Sequence, residues 1–223
     1  AMSVCRQMSK VERTIYFSMA ILGVFVVLVT LSRGALLNVI VAIVTIVWLS
    51  KYLKVSRKIL FLSLLTLTAY SFIILFGELF ERLLTLQELL RGDLNDPGFE
   101  FRLALWQEYL SNTVSNNPLV GIGPVLKESL ILENLYISTL VRYGILGLAS
   151  LLFLFFMVFR MSFVTLKIVE GKEYALVLGL FAGFIGMLVQ CISGEFFNSA
   201  RLVETYWISF GIIEGLYRRN GKR

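Results

Sequence analysis

Three places in this chain hold polar residues that an apolar sequence gives no ordinary reason to keep, and a fourth holds a pair of glycines. Arg33 stands in Leu31-Ser32-Arg33-Gly34-Ala35, a very short reversal between two apolar runs. An arginine at a bilayer centre costs on the order of 3 kcal/mol. Gly, Asn or Ser alone could turn the chain, so Arg33 reads either as an anion ligand or as an interfacial arginine that fixes the hairpin. Arg102 and Trp106 are i,i+4 neighbours on one helix face, with Tyr109 close behind. Arginine beside aromatic rings suits a sugar phosphate; the plainer alternative is an arginine packed on its own tryptophan. Gly121-Ile122-Gly123 lets backbone come close to something, as an anion-binding nest or as a plain turn. Glu133-Asn134-Leu135-Tyr136, followed by Arg142 and by Gly144 and Gly147, puts an acid, an amide and a base into one apolar block. Such a set marks a functional site, or else a Glu133–Arg ion pair that only holds helices together. Glu195 and Arg201 bound a short loop and could complete a rim. Glu214 stands four residues before Arg218 and is expected to pair with it.

The composition limits what these residues can serve. Hydrophobic residues make up 57% of the 223 and charged residues 16%, against roughly 25% charged in soluble domains. The apolar residues come in blocks of roughly 15 to 20, the length of a membrane span. Histidine is absent, which removes every Ser-His or Cys-His arrangement. The two cysteines, Cys5 and Cys191, are too far apart for a metal or redox motif. The formal charge of +6 is scattered in short clusters between apolar blocks, which is a topology signal and excludes nucleic acid as a partner. No metal or cofactor is expected.

The elements that must position the polar residues follow from the blocks. The expected fold is all-α, a polytopic membrane helix bundle of about six spans, read as one domain over residues 1–223. The spans are Ile15–Leu31, Ala35–Leu49, Ile59–Phe76, Ile131–Phe159, Ala175–Ile192 and Leu202–Tyr217. The larger share of the Lys and Arg residues falls in the N-terminal segment, in 51–58, in 160–172 and after Arg218. The positive-inside rule then puts both termini in the cytoplasm. All three prolines and most acidic residues lie on the outer side. The long outer loop, residues 77–130, is expected to hold an amphipathic helix around Leu79–Arg91, a break at Asp96-Pro97-Gly98, and a second helix from Glu100 to Val114. Asn116-Asn117-Pro118 should end that helix, and the Gly-x-Gly turn follows.

Taken in order, these motifs resemble the O-antigen ligase/polymerase superfamily. The residues that carry the resemblance are Ser32-Arg33-Gly34-Ala35 in a membrane hairpin and Arg102 to Trp106 in the outer loop. Asn117-Pro118-Leu119-Val120-Gly121-Ile122-Gly123 and Glu133-Asn134-Leu135-Tyr136 before Gly144 and Gly147 complete it. The motifs correspond to the C-terminal half of longer family members. An acid ahead of Asn-x-Tyr, where the ligases have histidine, points to a polymerase.

The resemblance implies a metal-independent glycosyltransferase in the bacterial inner membrane. Its substrate would be an oligosaccharide linked to undecaprenyl pyrophosphate, built into a surface polysaccharide. Arg33 and Arg102 match the family's phosphate-binding arginines, with Arg142 a further candidate. Glu133 would take the proton of the acceptor hydroxyl. Asn134 and Tyr136 would orient the sugar, and Trp106, Gly121 and Gly123 would line the substrate. One base and one displacement would invert the anomeric centre. Two other readings are a ligase that moves the finished glycan to another acceptor, and a non-enzymatic component working with other polysaccharide assembly proteins.

Overall fold

The computed structural model describes residues 9–29, 33–56, 58, 59, 63, 97–123, 132–195 and 200–221. Among the described residues the chain is helical, with no strand. Six helices follow in order: α1 Lys10–Val29, α2 Arg33–Leu49, α3 Pro97–Asn116, α4 Leu135–Ile168, α5 Gly171–Gln190 and α6 Ala200–Asn220. The chain divides into two compact units, Ala1–Leu94 with Val169–Gly186, and Asn95–Ile168 with Met187–Arg223.

In the first unit α1 packs on α2 as a hairpin. A reciprocal cap starts α1. The Ser9 amide donates to the Glu12 carboxylate at 2.8 Å, and the Glu12 amide donates to Ser9 Oγ at 3.1 Å, which satisfies two of the unpaired amides of a helix start. The Ser9 amide, and after it Lys172 at 3.3 Å, hold the Glu12 carboxyl below its ordinary range. The end of α2 is capped from outside the helix. Tyr174 Oη donates to the Leu49 carbonyl at 2.8 Å and accepts from the Lys51 amide at 3.1 Å. Lys58 Nζ donates to the Trp48 carbonyl at 2.6 Å. Cations at a helix C-terminus also meet the negative end of its dipole. Gly186 of α5 admits Asn38 of α2: a Cβ there would fall 2.7 Å from the Asn38 carbonyl oxygen. A small residue at a helix contact is the usual device for close approach in lipid.

In the second unit α4 packs against both α3 and α6. Helix α3 begins at Pro97 and not at Glu100. The expected breaker is instead a first-turn proline, whose missing N–H has no intrahelical partner to lose and whose φ suits the helix. The helix ends at Asn116 as the Asn-Asn-Pro signal predicts.

Helix α4 is 34 residues long and is broken at Gly144, whose φ of 66° and ψ of −166° belong to a region open essentially to glycine alone. The 117–123 segment, which follows α3, fills the break. The amides of Ile122 and Gly123 donate to the carbonyls of Val141 and Arg142 at 2.9 and 3.0 Å. The amides of Ile145 and Leu146 donate to the carbonyls of Pro118 and Leu119 at 2.9 and 3.2 Å. The backbone groups that the kink releases are thus paired again, which a helix crossing lipid requires. Two glycines make this approach possible. A Cβ on Gly121 would fall 2.6 Å from the Arg142 carbonyl, and a Cβ on Gly144 would collide with the Leu119 carbonyl and the Val120 amide.

Among the described residues two helices, Leu135–Ile168 and Gly171–Gln190, are long and apolar enough to cross a membrane, and Gly34–Leu49 is apolar but shorter. The fourth and fifth expected spans fall on the two long helices. The expected third span and the amphipathic helix around Leu79–Arg91 lie largely or wholly outside the described residues, and a count of six spans does not follow from this structure. Helix α6 covers the sixth expected span but carries Glu204, Glu214, Arg218 and Arg219. Large apolar side chains such as Phe25, Trp48, Phe153 and Phe156 are exposed, as expected where hydrocarbon and not water is the solvent.

The glycines separate by what surrounds them. Gly123 has a φ of 93° but open space about its Cβ position. We expect Gly123→Ala to cost about 1 kcal/mol, the price of left-handed backbone alone. Gly144→Ala must also displace backbone from the break and should cost about 3 kcal/mol or more. Thermal unfolding of the two variants in detergent checks the ordering.

Candidate functional site

The site is built where α3 meets the segment that leads into α4. Arg102 and Trp106 do share one face of α3, and both grip that segment. Trp106 Nε1 donates to the Leu132 carbonyl at 2.7 Å. The Arg102 guanidinium pairs with the Glu133 carboxylate at 2.5 Å, with both side chains about two-fifths exposed. Trp106 therefore holds main chain one residue before Glu133, while Arg102 holds the carboxylate itself.

Asn134 holds the other side. Its Oδ1 accepts the amides of Tyr136 and Ile137, each at 3.0 Å, so Asn134 is the N-cap of α4. It is buried. The Leu135 amide donates to the Cys191 carbonyl at 2.9 Å. Tyr136 Oη donates to the Leu188 carbonyl at 2.8 Å. The start of α4 is thus tied to the end of α5 within this unit.

Glu133, between these anchors, has a φ of 47° and is the only non-glycine with positive φ among the described residues. Left-handed backbone costs a residue with a Cβ of order 1–3 kcal/mol and persists only where the surroundings impose it. An exposed ion pair returns about 0–1 kcal/mol, less than the upper part of that cost. The conformation is therefore held mainly by the neighbours, through the Trp106–Leu132 bond before it and the Asn134 cap after it.

A second ion pair lies further along α4. Arg142 pairs with Glu195 at 3.1 Å, and both side chains are mostly buried. Among the described residues Arg142 Nε has no hydrogen-bond partner. The Arg142 main chain accepts the Gly123 amide, so the Gly-x-Gly turn and this arginine meet through backbone.

The expected site residues distribute as follows. Arg102, Trp106, Glu133, Asn134 and Tyr136 come together at the start of α4. Gly121 and Gly123 meet Arg142 at the break, where Gly121 serves the close approach of two chains. Asn134 and Tyr136, expected to orient a sugar, use the atoms named above to hold backbone. Arg33 starts α2 in the other unit, and its side chain lies outside the described residues, as does that of Arg201. Glu195 is the partner of Arg142, and Glu214 pairs with Arg218 at 2.5 Å as expected. The carbonyls of Leu132, Leu188 and Cys191 were not foreseen, since backbone acceptors have no residue signature. The Asn134 cap could have been found, because Asn directly before an apolar helical run is a helix-start signal.

Comparison with known families gives a match over the site. The model of a family described as O-antigen ligase matches residues 18–152, more than half of the chain. The matched range contains Arg33, Arg102, Trp106, Gly121, Gly123, Glu133, Asn134, Tyr136 and Arg142. No curated protein and no solved structure matches the chain.

Relief of the strain at Glu133 is measurable. Glu133→Gly removes an exposed ion pair but frees left-handed backbone, so its unfolding free energy should stay within about 1 kcal/mol of the parent or rise. Trp106→Phe keeps most apolar contact but leaves the Leu132 carbonyl without its donor, which should cost about 1–3 kcal/mol. Chemical denaturation in mixed micelles would compare the two.

Proposed function

The chain belongs to the O-antigen ligase family, and from that premise we propose that it is a membrane glycosyltransferase that polymerises oligosaccharide repeat units carried on undecaprenyl pyrophosphate. Members of this family are glycosyltransferase-like enzymes that act on lipid-linked glycans at a membrane. The proposal adds the reaction, its residues, a bacterial plasma-membrane location with both termini in the cytoplasm, and one membrane domain that works beside other polysaccharide assembly proteins.

The observation that carries the reading is the Arg102–Glu133 pair, held in strained backbone at the start of a membrane helix. Glu133 accepts the proton of the acceptor sugar hydroxyl. The acceptor oxygen forms a bond to the donor's anomeric carbon as the bond from that carbon to the pyrophosphate oxygen breaks. Undecaprenyl pyrophosphate leaves with the bonding pair. Arg102 offsets the charge on the leaving group, with Arg142 the further candidate, and Arg33 is proposed as a phosphate ligand on the family resemblance alone; guanidinium binds phosphate in bidentate fashion and stays charged at any working pH. A single displacement inverts the anomeric centre. Asn134, Tyr136, Trp106 and the 121–123 turn shape the substrate cleft.

Pairing of Arg102 with Glu133 has a mechanistic consequence. An arriving pyrophosphate competes with the carboxylate for the same guanidinium. Donor binding then frees Glu133 lone pairs when a substrate is present and not before. The pair is exposed enough for this exchange, whereas the Arg142–Glu195 pair is mostly buried.

A second reading is a ligase, which the family's description as O-antigen ligase favours. Glutamate at position 133, where the resemblance leads one to expect histidine in a ligase, supports the polymerase.

The test is a glycan ladder from cells that lack their own polymerase and make the cognate lipid-linked repeat. The parent chain should give a ladder, and Glu133→Gln and Arg102→Ala should each lose it, by at least 100-fold in polymerised product. Single repeats from the parent, or a full ladder from Glu133→Gln, would overturn the reading. Transfer of finished glycan to a new acceptor by the parent chain itself, with no ladder, would establish the ligase, whereas transfer by Glu133→His and none by the parent would argue against it.

A further inference from the structure

We infer that the segment 117–123, read from sequence as part of an outer aqueous loop, lies in the hydrocarbon of the membrane, with Leu119 and Val120 against lipid tails. The inference rests on the chain being a membrane protein and not on the proposed reaction, so either can fail alone.

Three observations carry it. The first is the position of the break along α4. The longest charge-free stretch of that helix is Tyr143–Phe159, between Arg142 and Arg160. At about 1.5 Å per residue this stretch is about 26 Å long, shorter than a hydrocarbon core of about 30 Å. A core whose boundary lies at Arg160 therefore extends past Gly144, to about Leu140. The 117–123 segment is bonded to Val141, Arg142, Ile145 and Leu146, so it sits at that same depth.

The second is the chemistry of its surface. Leu119 is 59% exposed and Val120 63%, next to Ile145 and Leu146, which are also exposed. This apolar surface continues along α4 onto Leu152, Phe153 and Phe156, the face of a membrane-length helix. No charged residue stands between Glu108 and Lys127. Water would leave these side chains in an unfavourable solvent, and hydrocarbon would not.

The third is backbone pairing. Non-helical backbone is tolerated at membrane depth only when its polar groups are paired within the protein. The amides of Gly121, Ile122 and Gly123 and the carbonyls of Asn117, Pro118 and Leu119 are all paired, to Asn117 itself or to α4. A loop made for water has no need of this.

Helix α3 runs directly into this segment. The segment therefore anchors α3, with Arg102 and Trp106, at the level of lipid headgroups, where a lipid-borne phosphate would lie.

The test is spin-label accessibility in lipid nanodiscs, on the full chain with Cys5 and Cys191 replaced by alanine. Labels go on Leu119→Cys and Val120→Cys, with Phe153→Cys as the lipid reference and Glu108→Cys as the water reference. Collision with oxygen and with the water-soluble nickel chelate Ni-EDDA is measured at each. We expect Leu119 and Val120 to match Phe153, with oxygen access high and nickel access at least fivefold below Glu108. Nickel access equal to Glu108 would place the segment in water and overturn the inference. Low access to both reagents would mean a protein surface covers it, which also overturns it. Two labelled positions keep the test decisive if one variant does not fold.

Discussion

A helix in lipid cannot leave its backbone unpaired, and α4 is broken. The way α3 meets α4 in the second unit is tied to how that break is filled. Gly144 takes a conformation that removes helical hydrogen bonds, and the 117–123 segment supplies four in their place. That exchange demands bare backbone on both sides, which is why glycines stand at 121 and 144 and why a Cβ at either meets main-chain atoms. Because the segment follows directly from α3, filling the break also fixes where α3 ends. The face of α3 that carries Arg102 and Trp106 is then presented to the residues before α4.

From that constraint the candidate site follows. Trp106 and Asn134 hold the backbone on either side of Glu133, and Arg102 receives its carboxylate. The left-handed φ of Glu133 is the local cost of this arrangement. The upper part of its range of about 1–3 kcal/mol exceeds the roughly 0–1 kcal/mol of an exposed ion pair, so the strain is maintained mainly by packing and caps elsewhere in the unit. A carboxylate held by its neighbours' backbone contacts can release its arginine without losing its own place. This is the property that a base exchanging partners with a substrate needs.

Much of this was legible in the residues, and the limits have physical reasons. The shared face of Arg102 and Trp106 follows from helical spacing alone, and the Asn-Asn-Pro stop and the Glu214–Arg218 pair are equally local. The bend near Gly144 could be expected from a block too long for one span. What fills the bend could not, because it depends on a contact between distant segments that no periodicity records. Pro97 shows the ambiguity of a single signal, since proline breaks a helix interior and also begins one. The conformation of Glu133 is set wholly by its surroundings, and glutamate carries no propensity for it. Apolar blocks mark possible spans, but length and hydropathy alone do not separate a straight crossing from a broken helix or from one with charged ends such as α6. Arg33 and Arg102 belong to different units, and spacing carries no information on their separation.

The central claim is that Arg102 and Glu133 act as one device in glycosyl transfer. A double-mutant cycle on the transfer rate tests it most directly, with Arg102→Ala, Glu133→Gln and the pair together, assayed on purified protein in nanodiscs with lipid-linked donor. If the two act as a unit, the double variant is no slower than the worse single one, because either change disables the same step. Rate losses that multiply would mean independent roles, and the account of a shared, exchangeable pair would be wrong.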